Sequence, residues 1–322
     1  MKIPARSLLP LTALVLCASR LIAADAVELR QQWQVGRKYS QVMNMAQIST
    51  ITIGGQKIDQ KMAMTMEMST SVKQHEDGKQ KRLSAKYGRV AMKMDANGRE
   101  MGFDSAKPGS DSLGMGKGFE AMIGKELKLL VNEKDEITGI ENFEEFFATV
   151  GGGPGSAQLA QILNKDSLTE MVKQGSLKAM PGRPVKPGDS WPFGYTTKMP
   201  PIGEISIKGT YTLKGTAPRA GIPCAEIAVI GNANIDFKAP PPGAEPKPDD
   251  PAAAIAALGL KMTGGKLTGT VWFDPALGMA REIEYRQEME MTMKNPAQPD
   301  EIMTIPLKQV ITLTLTKVED VK

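Results

Sequence analysis

Apolar side chains fall on alternate positions along most of this chain. The clearest case is the run from Met62 to Met68, where Met62, Met64, Met66 and Met68 alternate with Ala63, Thr65 and Glu67. In a strand, side chains two apart share a face, so four thioethers would form one row. The pattern returns at Met92 and Met94, and again at Met289, Met291 and Met293. Alternation predicts N-terminal strands at 39–53, 58–73, 81–95, 100–104, 126–132 and 136–140. It predicts C-terminal strands at 191–197, 202–213, 224–236, 265–273, 279–294 and 303–318. Turn residues punctuate these runs at Gly54-Gly55, His75–Gly78, Asn97-Gly98 and Lys134-Asp135. Residues 105–118, rich in Gly, Ser and Pro, read as a loop.

The period changes in the middle. Residues 142–150 and 157–173 carry apolar residues at helical spacing, with Leu159, Ile162, Leu163, Leu168, Met171 and Val172 in the second run. The stretch Gly151-Gly152-Gly153-Pro154-Gly155 separates them. No Lys-Ser/Thr follows it, so it reads as a helix break and not as a phosphate loop. Residues 238–251 are rich in Pro and charge and predict an extended surface loop. Residues 252–258 could add a helical turn or two.

The expected architecture is mainly β (α+β): two β-rich lobes of long antiparallel strands with a helical segment between them. Residues 27–141 form the N-terminal lobe, 142–180 the helical connector and 181–322 the C-terminal lobe. A weak repeat links the lobes. Gly36-Arg37-Lys38-Tyr39 resembles Gly188-Asp189-Ser190-Trp191, each a glycine followed by an aromatic residue opening a strand. In each half a strand also follows an Asp-containing turn, at Asp135 and at Asp274. These parallels suggest duplication.

Residues 1–26 have the order of a secretory signal: Lys2 and Arg6, an apolar stretch from Ser7 to Ala18, then Ala23, Ala24 and Ala26. Cleavage is expected after Ala26, or after Ala24. The apolar stretch is shorter than the ~20 residues of a membrane span, and Arg20 interrupts it. The expected protein is therefore exported, periplasmic or extracellular, with no transmembrane segment after signal removal. Lipid anchoring through Cys17 is the weaker expectation, because Leu16 stands where a small residue belongs. Cys224 then remains alone, so no internal disulfide forms, and its strand-like surroundings read as buried.

Removing the signal lowers Lys plus Arg from 40 to 37 and Asp plus Glu from 36 to 35, a net charge of +2. Nothing there forms the concentrated basic patch that nucleic acid requires. Catalytic signals are weak. His75, the only histidine, sits in a polar turn. One histidine and one cysteine far apart do not make a zinc site. Glu141, Glu144 and Glu145 could support a carboxylate-dependent hydrolase, but acids at a helix start are also ordinary. Glu282, Glu284, Glu288 and Glu290 alternate with Ile283, Tyr285, Met289 and Met291, as on the wet face of a half-buried strand. The methionine rows could bind Cu(I), fill a core, or line an adaptable apolar groove.

The segment Pro181-Gly182-Arg183-Pro184-Val185-Lys186-Pro187-Gly188-Asp189-Ser190-Trp191 resembles an uncharacterised family of exported bacterial proteins, a domain-of-unknown-function family. Met62–Met68, Phe103-Asp104-Ser105-Ala106-Lys107-Pro108 and Ile137-Thr138-Gly139-Ile140-Glu141 fit the same resemblance, in the same order. It implies an exported non-enzymatic protein and supplies no catalytic residues. The leading expectation is a β-rich binding protein without cofactor, taking a hydrophobic small molecule, lipid or envelope protein. Its expected groove residues are Met62, Met64, Met66, Met68, Met289, Met291 and Met293. Periplasmic copper handling is the alternative, and a carboxylate-dependent hydrolase the next.

Overall fold

Alternation sorts each long strand into two faces, and pairing carries that sorting across the molecule. The computed structural model describes residues 26–53, 56–113, 116–150, 169, 180–199, 203–237, 259–295 and 298–321. The first strands are β1 (Val27–Glu28), β2 (Arg37–Ile53), β3 (Gln56–Gln74), β4 (Lys81–Ala96), β5 (Arg99–Asp104), β6 (Glu126–Val131) and β7 (Ile137–Ile140). Then come β8 (Pro184–Val185), β9 (Ser190–Met199), β10 (Gly203–Arg219), β11 (Ile222–Phe237), β12 (Lys261–Asp274), β13 (Met279–Asn295) and β14 (Gln298–Asp320). Two short helices, α1 (Gly116–Met122) and α2 (Phe143–Val150), follow β5 and β7.

Twelve strands form one antiparallel sheet in the order β7-β6-β4-β3-β2-β14-β13-β12-β11-β10-β9, with β5 on the far end of β4. The fold is thus mainly β, as expected. The two predicted strand sets join where β14 pairs β2, with Leu313 opposite Met43 and Ile311 opposite Met45. The first and last long strands of the chain therefore close the seam at the centre of the sheet.

All twelve predicted strands are present, several of them longer than alternation suggests. β10 continues to Arg219 through a bulge between Leu213 and Gly215. A bulge shifts the alternation by one residue, so the pattern breaks while the strand does not. Two elements depart from expectation. Residues 116–122, within or beside the predicted loop, form α1, which places Phe119 5.9 Å from Phe103 in a stacked pair. β1 and β8 pair only with each other and are too short to show alternation. The signal segment through residue 25, Cys17, Gly54-Gly55, the glycine run at 151–155, nearly all of the 157–173 helix, the Pro-rich 238–251 and residues 252–258 lie outside the described residues.

The core gathers at one end of the long strands, in two adjoining clusters. Tyr39, Val72, Leu83, Leu127, Leu129, Phe143 and Phe146 make the first, with α2 laying two phenylalanines against β6. Trp191, Leu213, Ile227, Val271 and Phe273 belong to the second. The repeat seen in the sequence has a structural counterpart here. Gly36 (φ 81°) and Gly188 (φ 94°) both adopt a left-handed turn. Each then donates its N–H to the strand that pairs with the one it opens: Gly36 to Val72 O at 2.9 Å, Gly188 to Leu213 O at 2.7 Å.

Ion pairs tie neighbouring strands together. Arg89 grips Asp104 through two bonds of 2.9 and 2.8 Å. That guanidinium, helped by the Ala106 N–H, holds the Asp104 carboxyl down at about 2. A carboxylate depressed in the folded state adds stability above its ordinary pKa of about 4, and loses it as pH falls toward 2. The urea midpoint of the wild type is expected to fall between pH 5 and pH 2.5, and to fall less in Asp104→Asn. Identical pH dependence in the two proteins would remove Asp104 from the account.

Candidate functional site

Register shows which side chains share the inner face. Gln41, Met43, Met45 and Gln47 on β2 lie opposite Met68, Met66, Met64 and Met62 on β3. Met64 and Met62 lie in turn opposite Met92 and Met94 on β4, and Met94 lies opposite Met101 on β5. Across the central seam, Leu307, Ile305 and Met303 of β14 face Met289, Met291 and Met293 of β13, and Met291 faces Met262 of β12. Directly opposed residues of an antiparallel pair point to the same side. The two predicted methionine rows therefore belong to one continuous inner face, at the end of the strands away from the core. Their side chains are half-buried.

Between those rows and the core lies a cavity of about 830 Å³. Its walls come from β3 (Met68), β2 (Gln41, Met43), β14 (Ile311, Leu313), β13 (Ile283, Tyr285, Gln287), β12 (Leu267), β10 (Ile207, Tyr211) and β9 (Phe193, Tyr195). β3 and β9 stand seven steps apart in the sheet order. At a strand spacing of about 4.8 Å, a flat sheet would hold them ~34 Å apart. Walling one cavity requires the sheet to curl around it.

Small residues make room for the rings. Gly209 lies opposite Phe193 and Gly269 opposite Tyr285. A Cβ on Gly209 would fall 2.5 Å from the Phe193 ring, and one on Gly269 2.7 Å from the Tyr285 ring. Both rings thus lie over bare backbone, a cross-strand glycine–aromatic pairing. Phe193 and Tyr211 sit 4.4 Å apart, and Tyr211 and Trp191 5.8 Å. The Tyr211 and Tyr285 hydroxyls are 3.3 Å apart. Burial pushes the Tyr195, Tyr211 and Tyr285 phenols up, so all three remain neutral. Among the described residues, no charged one lines the cavity.

The segment from β1 to β2 crosses the core end and adds Gln31 and Trp33 to the walls. On one side the Gln32 N–H bonds Gly278 O at 2.9 Å, and the Gln34 amide bonds Leu277 O at 3.4 Å. On the other, the Trp33 N–H bonds Asp135 Oδ1 at 2.9 Å, an oxygen that also takes Lys81 Nζ at 2.6 Å. Asp274 shapes the Leu277–Gly278 turn by accepting the Ala276 and Leu277 N–H groups, both at 3.0 Å, while pairing with Arg281. The two aspartate turns that invited comparison in the sequence thus meet the same strap from opposite halves.

Of the seven expected groove residues, Met68 lines the cavity. Met62, Met64 and Met66 continue its face along β3, and Met289, Met291 and Met293 continue it along β13. The aromatic walls and Trp33 were not expected. Alternation already put Ile283 and Tyr285 on a dry face, but nothing in it brings β9 toward β3. Other candidates are engaged elsewhere. Glu141 is clasped by Arg82 at 2.6 and 2.7 Å, which holds its carboxyl below the usual range. His75 lies 3.6 Å from that same carboxylate. Glu282 pairs with Arg219 and Glu284 with Arg286, on the face turned from the cavity. Cys224 is fully buried, as expected, and burial pushes its thiol up. Among the described residues, no group of three or more His, Cys, Asp or Glu could hold a metal ion.

No curated protein matches the chain. Among solved structures, the chain is similar to one of lipovitellin, described by its lipid–protein interactions, at 10% identity and a TM-score of 0.48. That likeness covers 90% of this chain and 26% of lipovitellin's, so the chain spans about a quarter of that length. DynF, from the dynemicin biosynthesis pathway of Micromonospora chersina, gives 8% identity and a TM-score of 0.23, over 94% of this chain and 88% of the other. A putative outer membrane lipoprotein-sorting protein domain from Vibrio parahaemolyticus gives 8% and 0.16, over 87% and 85%. Likenesses this weak carry no ligand or activity over to this chain. Residues 78–280, well over half of the sequence, match the Family of unknown function (DUF6263), and the chain belongs to that family.

Proposed function

We propose that this is an exported, non-enzymatic binding protein that holds an apolar ligand against the inner face of its curled sheet. The observation that carries this reading is the cavity itself: about 830 Å³, walled mostly by aromatic, aliphatic and methionine side chains, with Gln31, Gln41 and Gln287 as its amides and, among the described residues, no charged side chain. That volume lies in the range of pockets that enclose a single small ligand. Apolar walls of this extent favour transfer of an apolar molecule from water, at about 25 cal/mol per Å² buried. The half-buried methionines extend the same surface, and thioether side chains adapt to irregular shapes. The signal-like order of residues 1–26 supports the export part of this reading.

Turnover has little support at this site. Among the described residues, no carboxylate, histidine or cysteine lines the cavity, and Glu141 and Glu282 are committed to Arg82 and Arg219. The test is direct. Protein purified from its native envelope is expected to release a stoichiometric apolar compound into organic solvent, identified by mass spectrometry. The stripped protein should take up an environment-sensitive hydrophobic dye, and the extracted compound should displace it. A protein that yields no such compound and takes up no dye would overturn the reading.

A further inference from the structure

Three glutamines interrupt the apolar inner face side by side. Gln47 of β2 lies opposite Gln309 of β14, and Gln309 lies opposite Gln287 of β13. Directly opposed residues share a side, and neighbouring strands stand about 4.8 Å apart, so the three amides form one short row. Apolar residues bound it: Tyr285 and Met289 along β13, Ile311 and Leu307 along β14, and Leu267 and Met62 at its two ends. The row meets the cavity at Gln287, on the side toward the half-buried methionines. All three glutamines are themselves half-buried. No hydrogen bond joins their amides to one another. Among the described residues, their one side-chain partner is the Met45 thioether, which takes Gln309 Nε2 at 2.7 Å and is a weak acceptor. Gln31 and Gln41 stand toward the core end of the same cavity, where Gln31 Nε2 meets the Met279 thioether at 3.9 Å.

A ligand lying across this row takes water from the amides. An amide left unpaired beneath an alkyl chain costs binding free energy, so a purely hydrocarbon occupant is penalised there. Each amide offers two N–H donors and a carbonyl acceptor. A headgroup that only accepts leaves the carbonyls unpaired, whereas one that also donates satisfies both. Among the described residues, no charged side chain lines the cavity, so an ionised headgroup would meet no counter-charge there. The strap crosses the core end, while the row adjoins the half-buried methionines, which favours the row as the seat of the head. From these constraints we infer that the ligand is an amphiphile whose uncharged headgroup both donates and accepts hydrogen bonds, as a glycerol or a carboxamide does. The row Gln287–Gln309–Gln47 holds the head, and the chain runs from it toward the core end over Tyr285, Ile311 and Phe193. This inference rests on the cavity binding an apolar ligand at all, and the experiment separates the two.

Monolaurin, methyl laurate, dodecane and laurate anion would be titrated against the stripped full-length protein and its Gln287→Met/Gln309→Met variant. Methionine keeps the length of the side chain and removes the amide. Monolaurin is expected to bind about tenfold more weakly to the variant, and dodecane more tightly, because no amide is then stranded beneath it. A folding defect would weaken both, so the opposite signs isolate the amides. Monolaurin and methyl laurate share a chain and an ester and differ in the glycerol hydroxyls, so monolaurin should lose more. In ¹⁵N-labelled wild type, the glycerol protons should show nuclear Overhauser contacts to glutamine side-chain amide protons, and the chain methylenes contacts to tyrosine and phenylalanine rings. That spectrum needs no variant, so it decides the matter even if the variant folds poorly. Equal losses for monolaurin and methyl laurate, or glycerol contacts that miss the glutamine amides, would overturn the assignment and leave the cavity reading standing. So would a larger monolaurin loss in Gln41→Met, which would seat the head at the core end. Laurate anion binding as tightly as monolaurin would overturn the uncharged class. Failure of monolaurin, methyl laurate and dodecane alike to bind the wild type would overturn the cavity reading, and this inference with it.

Discussion

Asp274→Ala is expected to melt about 10 °C below the wild type. Asp274 is 3% exposed at the end of β12, among the most buried acids described. Its carboxylate accepts the Ala276 and Leu277 N–H groups through Oδ1, and takes Arg281 at 3.0 and 2.8 Å through Oδ2. Truncation strands a partly buried guanidinium and two turn donors at once. Breaking a buried pair from one side costs about 3–5 kcal/mol, and each kcal/mol moves the midpoint by about 2–4 °C for a domain of this size. The loss should spread, because the same turn presents Leu277 O and Gly278 O to the strap. Trp33 fluorescence is therefore expected to report solvent exposure before global unfolding. Asp274→Asn, which keeps an acceptor for the turn but not the charge, should fall between the two proteins. Thermal melts followed by circular dichroism would check the order, and a melting point for Asp274→Ala within about 2 °C of wild type, about a fifth of the expected drop, would refute it.

Gly269→Val is expected to lose about 3 kcal/mol and to abolish dye binding. A Cβ at this position would lie 2.2 Å from the Glu284 carbonyl oxygen and 2.7 Å from the Tyr285 ring. The first clash is with backbone, so β12 and β13 must separate locally. The second lifts Tyr285 off its strand and into the cavity. Stability and binding should therefore fall together. Thr268→Val, one position away on the opposite face of the same strand, adds the same branched side chain where no ring rests. It should leave both properties near wild type. Urea denaturation and dye titration on the two variants would separate a positional effect from a general one. A Gly269→Val protein that still binds dye would show that Tyr285 does not shape the cavity.

The strands were legible because each long run repeats one simple rule. Met62–Met68 keeps one apolar face throughout, Ile283–Met293 does so except at Gln287, and both runs lie inside strands. The likeness of the Gly36–Tyr39 and Gly188–Trp191 segments was legible, and the structure adds that both glycines take the left-handed conformation that glycine tolerates. Legibility ended at irregularities and at distance. The bulge at Leu213/Gly215 hid the last third of β10. α1 was hidden because two glycines in seven residues weaken a helical signal. β1 and β8 were hidden because a two-residue pairing leaves no period to read.

The groove prediction shows the same division. Alternation put each methionine row on one face of its own strand, with Tyr285 in the second row, and the pairing of β2 with β14 joins the two faces. In the enclosed space Met68 stands among Phe193, Tyr195, Tyr211 and Trp33. The family resemblance rested on short segments, and three of them fall inside the matched residues 78–280: Phe103–Pro108, Ile137–Glu141 and Pro181–Trp191.

By itself, the sequence determined the strands, which face of each is apolar, and the turn chemistry at Asp135 and Asp274. These are local properties, fixed by a two-residue period and by side chains bonding their own backbone. Only the tertiary structure decided that β2 pairs β14, that the sheet curls, and that a strap carries Trp33 across its end. Strand order depends on which of many similar apolar faces meet. Such faces are nearly interchangeable in sequence, and their choice is settled by burying all of them together.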